Sequence, residues 1–434
     1  MKRKNIEKIV LVNPPSPFLI DEKVFPNLGI INVGTILKER GMNVEIIDLA
    51  GEKKYLDKIK EIALSTNIIG FSSTTPQFYN TFQLNKVAKE TNPNLFTILG
   101  GAHASAMAYL PLTDPNQEGL KSFDMIFAGE GEGFIIKEGV YKAPLVKNIE
   151  NLPIPDRSLM DITSYEYYLN GKPTTTLMTQ RGCPFSCNFC SGREIEMYKK
   201  FRMNSPEKIV KELDYLNKEF GYTSFMWYDD EININIKKLF KLSKLLEKRP
   251  YIHRGFVRSD LIHKNPDSVE ALANAGFVEL CSGVESGSDK ILKQSGKRTS
   301  VEDNKFAARK IMDSGIRYKS FTMIGHPNET YEDIMKTKKW IQEVLPDGFD
   351  ITILQPYPGS IIYNKSVPSS TFLGYKYEYN GLYFNKIDFS KNSAFFKGRA
   401  GEYESQSRTK TLTSEELIEL RDEVEFELKE ERKL

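Results

Sequence analysis

The chemistry of this chain is concentrated in the run RGCPFSCNFCSG, where Cys183, Cys187 and Cys190 are separated by three and then by two residues. Three thiolates supplied by one short loop suit an iron–sulfur cubane, whose irons take soft sulfur ligands. Three ligands for four irons leave one iron open to a substrate or cofactor, which distinguishes a reactive cluster from an electron carrier. A zinc site would show paired CxxC knuckles or histidine partners, yet the nearest histidines are His103 and His253. Cys281 stands alone in an apolar run and reads as an ordinary buried thiol.

Downstream, charged and polar residues recur at the ends of apolar runs: Asp229 and Asp230 in WYDDE, Arg258 and Asp260 in VRSDL, Glu285 and Ser286 in GVESGSDKIL, and Gln355 in QPYPGS. Each also has a structural reading. One aspartate could cap the following helix, Arg258 and Asp260 could pair with each other, and Ser288 could cap a helix. His326, in MIGHPNETYED, reads as a loop residue. Upstream, the endings are richer in small residues: Asn13-Pro14-Pro15, Ser72-Ser73-Thr74, Gly100-Gly101 and the run Gly129-Glu130-Gly131.

These endings need elements to hold them. Residues 1–145 alternate short apolar runs (9–13, 44–49, 67–73, 95–101, 124–129) with stretches of helical period, which predicts a parallel sheet flanked by helices. In such a Rossmann-like, flavodoxin-type α/β layer the carboxyl ends of the strands share one rim, where ligands bind. Prolines 153 and 155 break any helix, so residues 146–172 are expected to be a linker. A second alternation over 173–365 has six strand candidates (174–179, 224–229, 253–258, 278–285, 318–324, 350–357), the pattern of a partial (β/α)6 barrel with its chemistry at the carboxyl ends. The helix Pro206 to Phe220 is the clearest, with Ser205 as cap and Ile209, Leu213, Leu216 and Phe220 as its apolar stripe. Residues 366–434 form a C-terminal extension, aromatic and aperiodic until a charged helix from 413, where Thr413 and Glu416 have capping-box spacing.

Composition bounds the rest. The chain has 434 residues, long enough for two or three domains, with 40% hydrophobic and 27% charged residues. A net charge of +2 offers no electrostatic case for nucleic acid or a membrane surface. The apolar run Ile9 to Val12 is too short for a signal-peptide core or a membrane span, so a reducing cytoplasm is expected.

The triplet CPFSCNFC resembles the signature of the radical S-adenosylmethionine superfamily. That resemblance implies a 4Fe-4S cluster on Cys183, Cys187 and Cys190, with its open iron chelated by S-adenosylmethionine, and reductive cleavage to a 5′-deoxyadenosyl radical. It places Phe189 beside the adenine, and Asp230, Arg258, Glu285, Ser286 and Gln355 around the rest of the cofactor. The stretches VLVNPP, GFSSTT, ILGGAHAS and IFAGEGE resemble the cobalamin-binding domain fused to one branch of that superfamily, and the likeness spans about residues 5 to 365. It implies cobalamin contacts from Asn13, Pro14, Ser72, Ser73, Thr74, Gly100, Gly101, His103, Gly129, Glu130 and Gly131. The Asp-x-His-x-x-Gly motif that supplies an axial histidine elsewhere is absent, so the cobalt is expected to lack a histidine ligand. The implied reaction is methylation of an unactivated carbon, with a flavodoxin or ferredoxin as electron donor and a small molecule or peptide as substrate. A radical cyclase or rearrangement enzyme without methyl transfer, and a cobalamin- or redox-sensing binding protein, are the rivals. The segment Tyr375 to Phe396 could line a substrate chamber or pack the extension.

Overall fold

The computed structural model describes residues 8–111, 113–370, 372–391 and 404–432, which divide into two compact units. The first comprises the chain up to Tyr167, together with Glu194–Met197 and the segment beginning at Lys386. The second comprises Tyr168–Arg193, Tyr198–Asn385 and the C-terminal remainder.

In the first unit, β1 (Ile9–Asn13) is buried along its whole length, as a parallel strand covered on both faces must be. It pairs in parallel with β2 (Val44–Asp48) on one side and β3 (Ile68–Ser72) on the other. The sheet continues through β4 (Phe96–Gly100), β5 (Met125–Ala128) and β6 (Gly139–Lys142), in the order β2-β1-β3-β4-β5-β6. This is the flavodoxin-type order, with its switch point between β1 and β3, where a crevice opens at the carboxyl ends. The edge strand β6 was not expected, because its mostly exposed residues carry no apolar run. Around the two prolines the chain makes 3-10 turns at Ile149–Asn151, Arg157–Leu159 and Ile162–Ser164, each opened by an Asn or Asp side chain accepting a backbone N–H.

The second unit opens with β7 (Tyr168–Leu169), antiparallel to β8 (Lys172–Leu177). A short antiparallel pair follows, β9 (Gln180–Arg181) with β10 (Arg202–Met203). Then come β11 (Ser224–Trp227), β12 (Ile252–Phe256), β13 (Phe277–Glu285), β14 (Arg317–Ile324) and β15 (Gly348–Ile353). Six parallel strands, β8 and β11 to β15, adjoin in chain order and leave the curled sheet open between its ends. The helix Pro206–Phe220 starts on the Ser205 hydroxyl, which accepts the Lys208 N–H at 3.1 Å, and ends at Gly221 with φ 76°. Its residues Ile209, Leu213 and Leu216 are buried.

Burial alternates along β14: Tyr318, Ser320, Thr322 and Ile324 are buried, whereas Lys319, Phe321 and Met323 are half-buried. By register the second set shares the concave face with Arg254, Phe256, Glu279 and Cys281 of β12 and β13. The extension contains an antiparallel sheet of β16 (Val367–Pro368), β17 (Tyr377–Tyr379), β18 (Leu382–Phe384) and β19 (Ser407–Thr409). It ends in the helix Ser414–Arg432, opened by the expected Thr413–Glu416 capping box. The segment from Tyr375 therefore forms the β17–β18 hairpin, and residues 392–396 lie outside the described residues. Lys386 to Ser390 belong to the first unit, where Asn116 accepts the Phe389 N–H at 2.7 Å and donates to the Ile387 carbonyl at 2.9 Å.

Candidate active site

The cysteine loop leaves β9 and returns as β10, so an antiparallel pair closes its base. Gly182 sits at φ 78°, and a Cβ there would meet the Lys200 carbonyl oxygen at 2.4 Å, so only glycine turns the chain so tightly. The Cys183 N–H donates to the Tyr198 carbonyl at 2.9 Å, and Arg193 donates to the Cys183 carbonyl at 3.0 Å. From the other side, the Asn188 backbone and side chain donate to the carbonyls of Ser295 and Gln294, at 2.8 and 3.0 Å.

Cys183 and Cys187 are half-buried and Cys190 is exposed. Although the Cys190 residue is exposed overall, the protein packed around each sulfur pushes all three thiol pKa values up, Cys183 to about 12, and the Glu231 and Asp230 carboxylates add to the effect at Cys183. Metal binding must therefore displace thiol protons. Among the described residues no group of three His, Cys, Asp or Glu side chains is placed to hold a single metal ion. A cubane asks for something else, one thiolate on each of three irons. Three free thiols on one pinned loop fit that group.

Around the loop lie the strand ends. Asp229 is buried and spent on the chain itself, accepting the N–H groups of Thr179 and Gln180 at 2.7 and 2.9 Å and the Thr179 hydroxyl. Asp230 is exposed, makes no hydrogen bond among the described residues, and acts electrostatically on Cys183 and Cys190. Arg258 and Asp260 pair with each other at 2.6 Å. The Arg258 guanidinium also stacks on Phe185 of the cysteine loop, 3.7 Å from the ring centroid, and donates to the Lys297 carbonyl.

Glu285 ends β13 at a bulge with φ 63°, a conformation a non-glycine residue adopts only when its surroundings impose it. Its carboxylate pairs with Lys297, whose Nζ lies 3.0 Å from Glu285 Oε1, both side chains being almost fully buried. Burial alone would lower the Lys297 pKa, but Glu285 and Glu231 hold the ammonium charged well above its usual range. Gly283 makes room for the pair, since a Cβ there would fall 2.3 Å from Glu285 Oε1. Ser286 is fully buried, and its hydroxyl accepts the Ser288 N–H at 3.2 Å, so it serves its own turn. Ser288 stands at the N-cap position, yet its hydroxyl donates to Asp333 at 2.8 Å instead. Gln355 is half-buried just past β15. Several buried oxygens here have no partner among the described residues, including Gln180 Oε1, Glu231 Oε2 and Ser259 Oγ. Buried polar atoms are normally satisfied, so the site fits a polar, charged ligand such as an amino-acid sulfonium nucleoside. Glu231 closes the WYDDE run beside the two aspartates, whereas Lys297 comes from a polar loop that carries no motif.

In the first unit, Asn13, Pro14, Ser72, Ser73, Thr74, Gly100, Gly101, Gly129, Glu130 and Gly131 all fall at the carboxyl ends of adjacent strands β1, β3, β4 and β5. Thr74 is exposed, and Ser72, Gly100, Gly101, Gly129 and Gly131 are half-buried. Others are committed internally. Asn13 donates to Asp48 at 2.8 Å, the Pro14 carbonyl accepts from Gln77 at 3.2 Å, the Ser73 hydroxyl donates to the Thr74 carbonyl at 2.9 Å, and Glu130 accepts the Val146 N–H at 2.7 Å. Gly101, at φ 90°, has the Ser73 backbone N where a Cβ would come within 2.8 Å, so its close approach is to the chain itself. His103, expected among the cobalamin contacts, lies inside the unit. It is fully buried, stacked on Phe78 at 4.0 Å and edge-on to Phe389 at 6.0 Å, with Nδ1 3.1 Å from the Thr75 hydroxyl. What remains is a rim of small, partly exposed residues, which fits the approach of a large, amide-rich ring system.

Residues 177–341 match the model of the radical SAM superfamily, and residues 22–134 match that of the B12 binding domain. The chain is a radical S-adenosylmethionine enzyme with a B12-binding domain. Its cofactors are the iron–sulfur cluster, S-adenosylmethionine and cobalamin. This radical enzyme is 28% identical over 400 residues to an uncharacterized methyltransferase of Pyrococcus horikoshii, covering 85% of each chain. It is 27% identical over 341 residues to the anaerobic magnesium-protoporphyrin IX monomethyl ester cyclase of Rubrivivax gelatinosus, covering 71% of this chain and 60% of that one. In structure it resembles the radical S-adenosylmethionine methyltransferase TsrM of Kitasatospora setae, solved with cobalamin and a cluster bound. The TM-score is 0.64 at 15% identity, over 88% of this chain and 81% of that one. Among the described residues, no helix is long and apolar enough to cross a membrane.

Proposed function

We propose that this radical enzyme transfers a methyl group to an unactivated carbon of a small-molecule substrate. The observation that carries the reading is the presence, in one chain, of a three-cysteine loop at the mouth of an open parallel barrel and a flavodoxin-order sheet matching the B12 binding domain. Bound S-adenosylmethionine and cobalamin supply, respectively, a hydrogen-abstracting radical and a methyl carrier.

The chain's own residues do the positioning. Cys183, Cys187 and Cys190 hold the cluster. Asp230, exposed and unpaired, offers its carboxylate to the cofactor's ammonium group, and the Arg258–Asp260 pair meets the opposite charge. Glu285 lines the ribose side, with Ser286 shaping the turn that presents it, Phe189 lines the adenine, and Gln355 closes the far strand. The small residues from Asn13 to Gly131 seat the cobalamin. Phe256 and Phe321, rings 5.9 Å apart on the concave face, form an apolar wall for the substrate. Electrons come from a small carrier such as flavodoxin or ferredoxin, and the free thiols suit a reducing cytoplasm.

The test is anaerobic turnover with S-adenosylmethionine carrying a labelled methyl group, over a panel of candidate substrates. Label in the product together with 5′-deoxyadenosine supports methyl transfer. A second reading, radical cyclisation, draws on the cyclase of Rubrivivax gelatinosus as a relative. It predicts 5′-deoxyadenosine and an altered but unlabelled product.

A further inference from the structure

Among the described residues, both ring nitrogens of one fully buried side chain on the barrel rim lack a hydrogen-bond partner. His326 follows β14, is 1% exposed, and neither Nδ1 nor Nε2 finds a hydrogen-bond partner among the described residues. The turn does not need the imidazole. The Glu329 carboxylate accepts the backbone N–H groups of Gly325 and His326 at 2.6 and 3.0 Å, and the Glu329 N–H closes the loop onto the His326 carbonyl at 3.0 Å. Nor is the ring set apart from the site. It stands edge-on to Phe189, with centroids 5.6 Å apart and planes at 72°, and it feels the charge of Glu285. Burial lowers its pKa to about 4, so it is a neutral imidazole with one donor and one acceptor. Leaving both unmet inside a protein is costly enough that native structures rarely do so. The edge of an adenine base offers acceptors and an amino donor within a few ångströms, and Phe189 is the residue expected beside that base.

We propose that His326 is a specificity-determining contact to the adenosyl group of S-adenosylmethionine, hydrogen-bonding the polar edge of the base beside Phe189. This rests on the reading that the cysteine loop and strand ends hold S-adenosylmethionine, and it is independent of methyl transfer. Leucine at this position keeps the volume and removes both unmet polar atoms, whereas asparagine keeps a donor and an acceptor.

The experiment compares wild type, His326→Leu and His326→Asn. Thermal unfolding of the cluster-free proteins is measured, and S-adenosylmethionine is titrated calorimetrically into the cluster-loaded, unreduced enzymes. A parallel titration uses the analogue with hypoxanthine in place of adenine. His326→Leu is expected to unfold no earlier than wild type, to bind S-adenosylmethionine about tenfold more weakly, and to lose discrimination against the analogue. His326→Asn recovers part of the affinity. Wild-type affinity and discrimination in both variants would overturn the assignment, whatever the unfolding temperatures. Weakened binding in an enzyme that never methylates any substrate would keep the contact and remove only the proposed reaction.

Discussion

Cys183, Cys187 and Cys190 are chemically alike but differ from Cys281, and substitution separates them. Alanine at any of the three is expected to abolish cluster loading and 5′-deoxyadenosine formation. Cys281→Ala should retain its iron, because that thiol is buried between Arg254 and Glu279 and faces no loop cysteine. Iron and sulfide assays after anaerobic reconstitution check both outcomes. His253 provides a pH prediction. It is fully buried, accepts the Trp227 indole N–H at 3.0 Å, and burial holds its pKa at about 3, below the ordinary value of 6.5. A histidine depressed in the folded state contributes stability that is complete above pH 6.5 and is lost as pH falls toward 3. The stability advantage of wild type over His253→Phe should therefore shrink by about 1.4 kcal/mol per pH unit below pH 6.5. Urea titrations at a series of pH values measure it, and a pH-independent difference would mean the imidazole protonates freely.

Strands and loops explain which of these residues could be read from the sequence. Long buried strands such as β1 and β13, and the helix from Pro206 with its Ser205 cap, carry their signals locally: apolar runs, a cap and a 3.6-residue stripe. The strands β9, β10, β16 and β19 are two or three residues long, too short for any alternation to show, and they exist because a partner strand is present. The same distinction runs through the site. Cys183, Cys187 and Cys190 lie in one short run, whereas Lys297 reaches Glu285 only because the loop after the helix Asp289–Gln294 folds back beneath β13. His326 looked like a loop residue because nothing in MIGHPNET distinguishes a ring facing solvent from one facing Phe189. The Lys297–Glu285 pair has its own consequence. Lys297→Met strands a buried carboxylate and should cost about 3–5 kcal/mol of stability in the cluster-free protein, with most of it regained in the Lys297→Met, Glu285→Gln double variant. Denaturant titration of the single and double variants decides it; an additive double variant would mean the two groups do not interact.

For the molecule as a whole, the sheet that matches the B12 binding domain lies in the first unit, so cobalamin is expected to stabilise that unit. Cobalamin at a hundred times its dissociation constant should stabilise the first unit by about 2.7 kcal/mol, seen as a calorimetric transition moving upward while the remainder of the trace stays in place. His103→Leu should keep that shift and leave the cobalamin spectrum unchanged, because its imidazole is enclosed by Phe78 and Phe389. Loss of cobalamin binding in a folded His103→Leu protein would restore the histidine as a ligand.

The clip between Asn116 and the backbone of Ile387 and Phe389 also bears on the order of events during synthesis. Phe389 is completely buried and closes one side of the His103 pocket, yet it lies near the end of a 434-residue chain. Domains emerging from the ribosome ordinarily fold in sequence, amino-terminal first. Here the segment that supplies Phe389 to the first unit is translated only after the six barrel strands. The unit begun first thus lacks Phe389 until all six barrel strands have been made, and only β19 and the helix Ser414–Arg432 of the second unit are translated later.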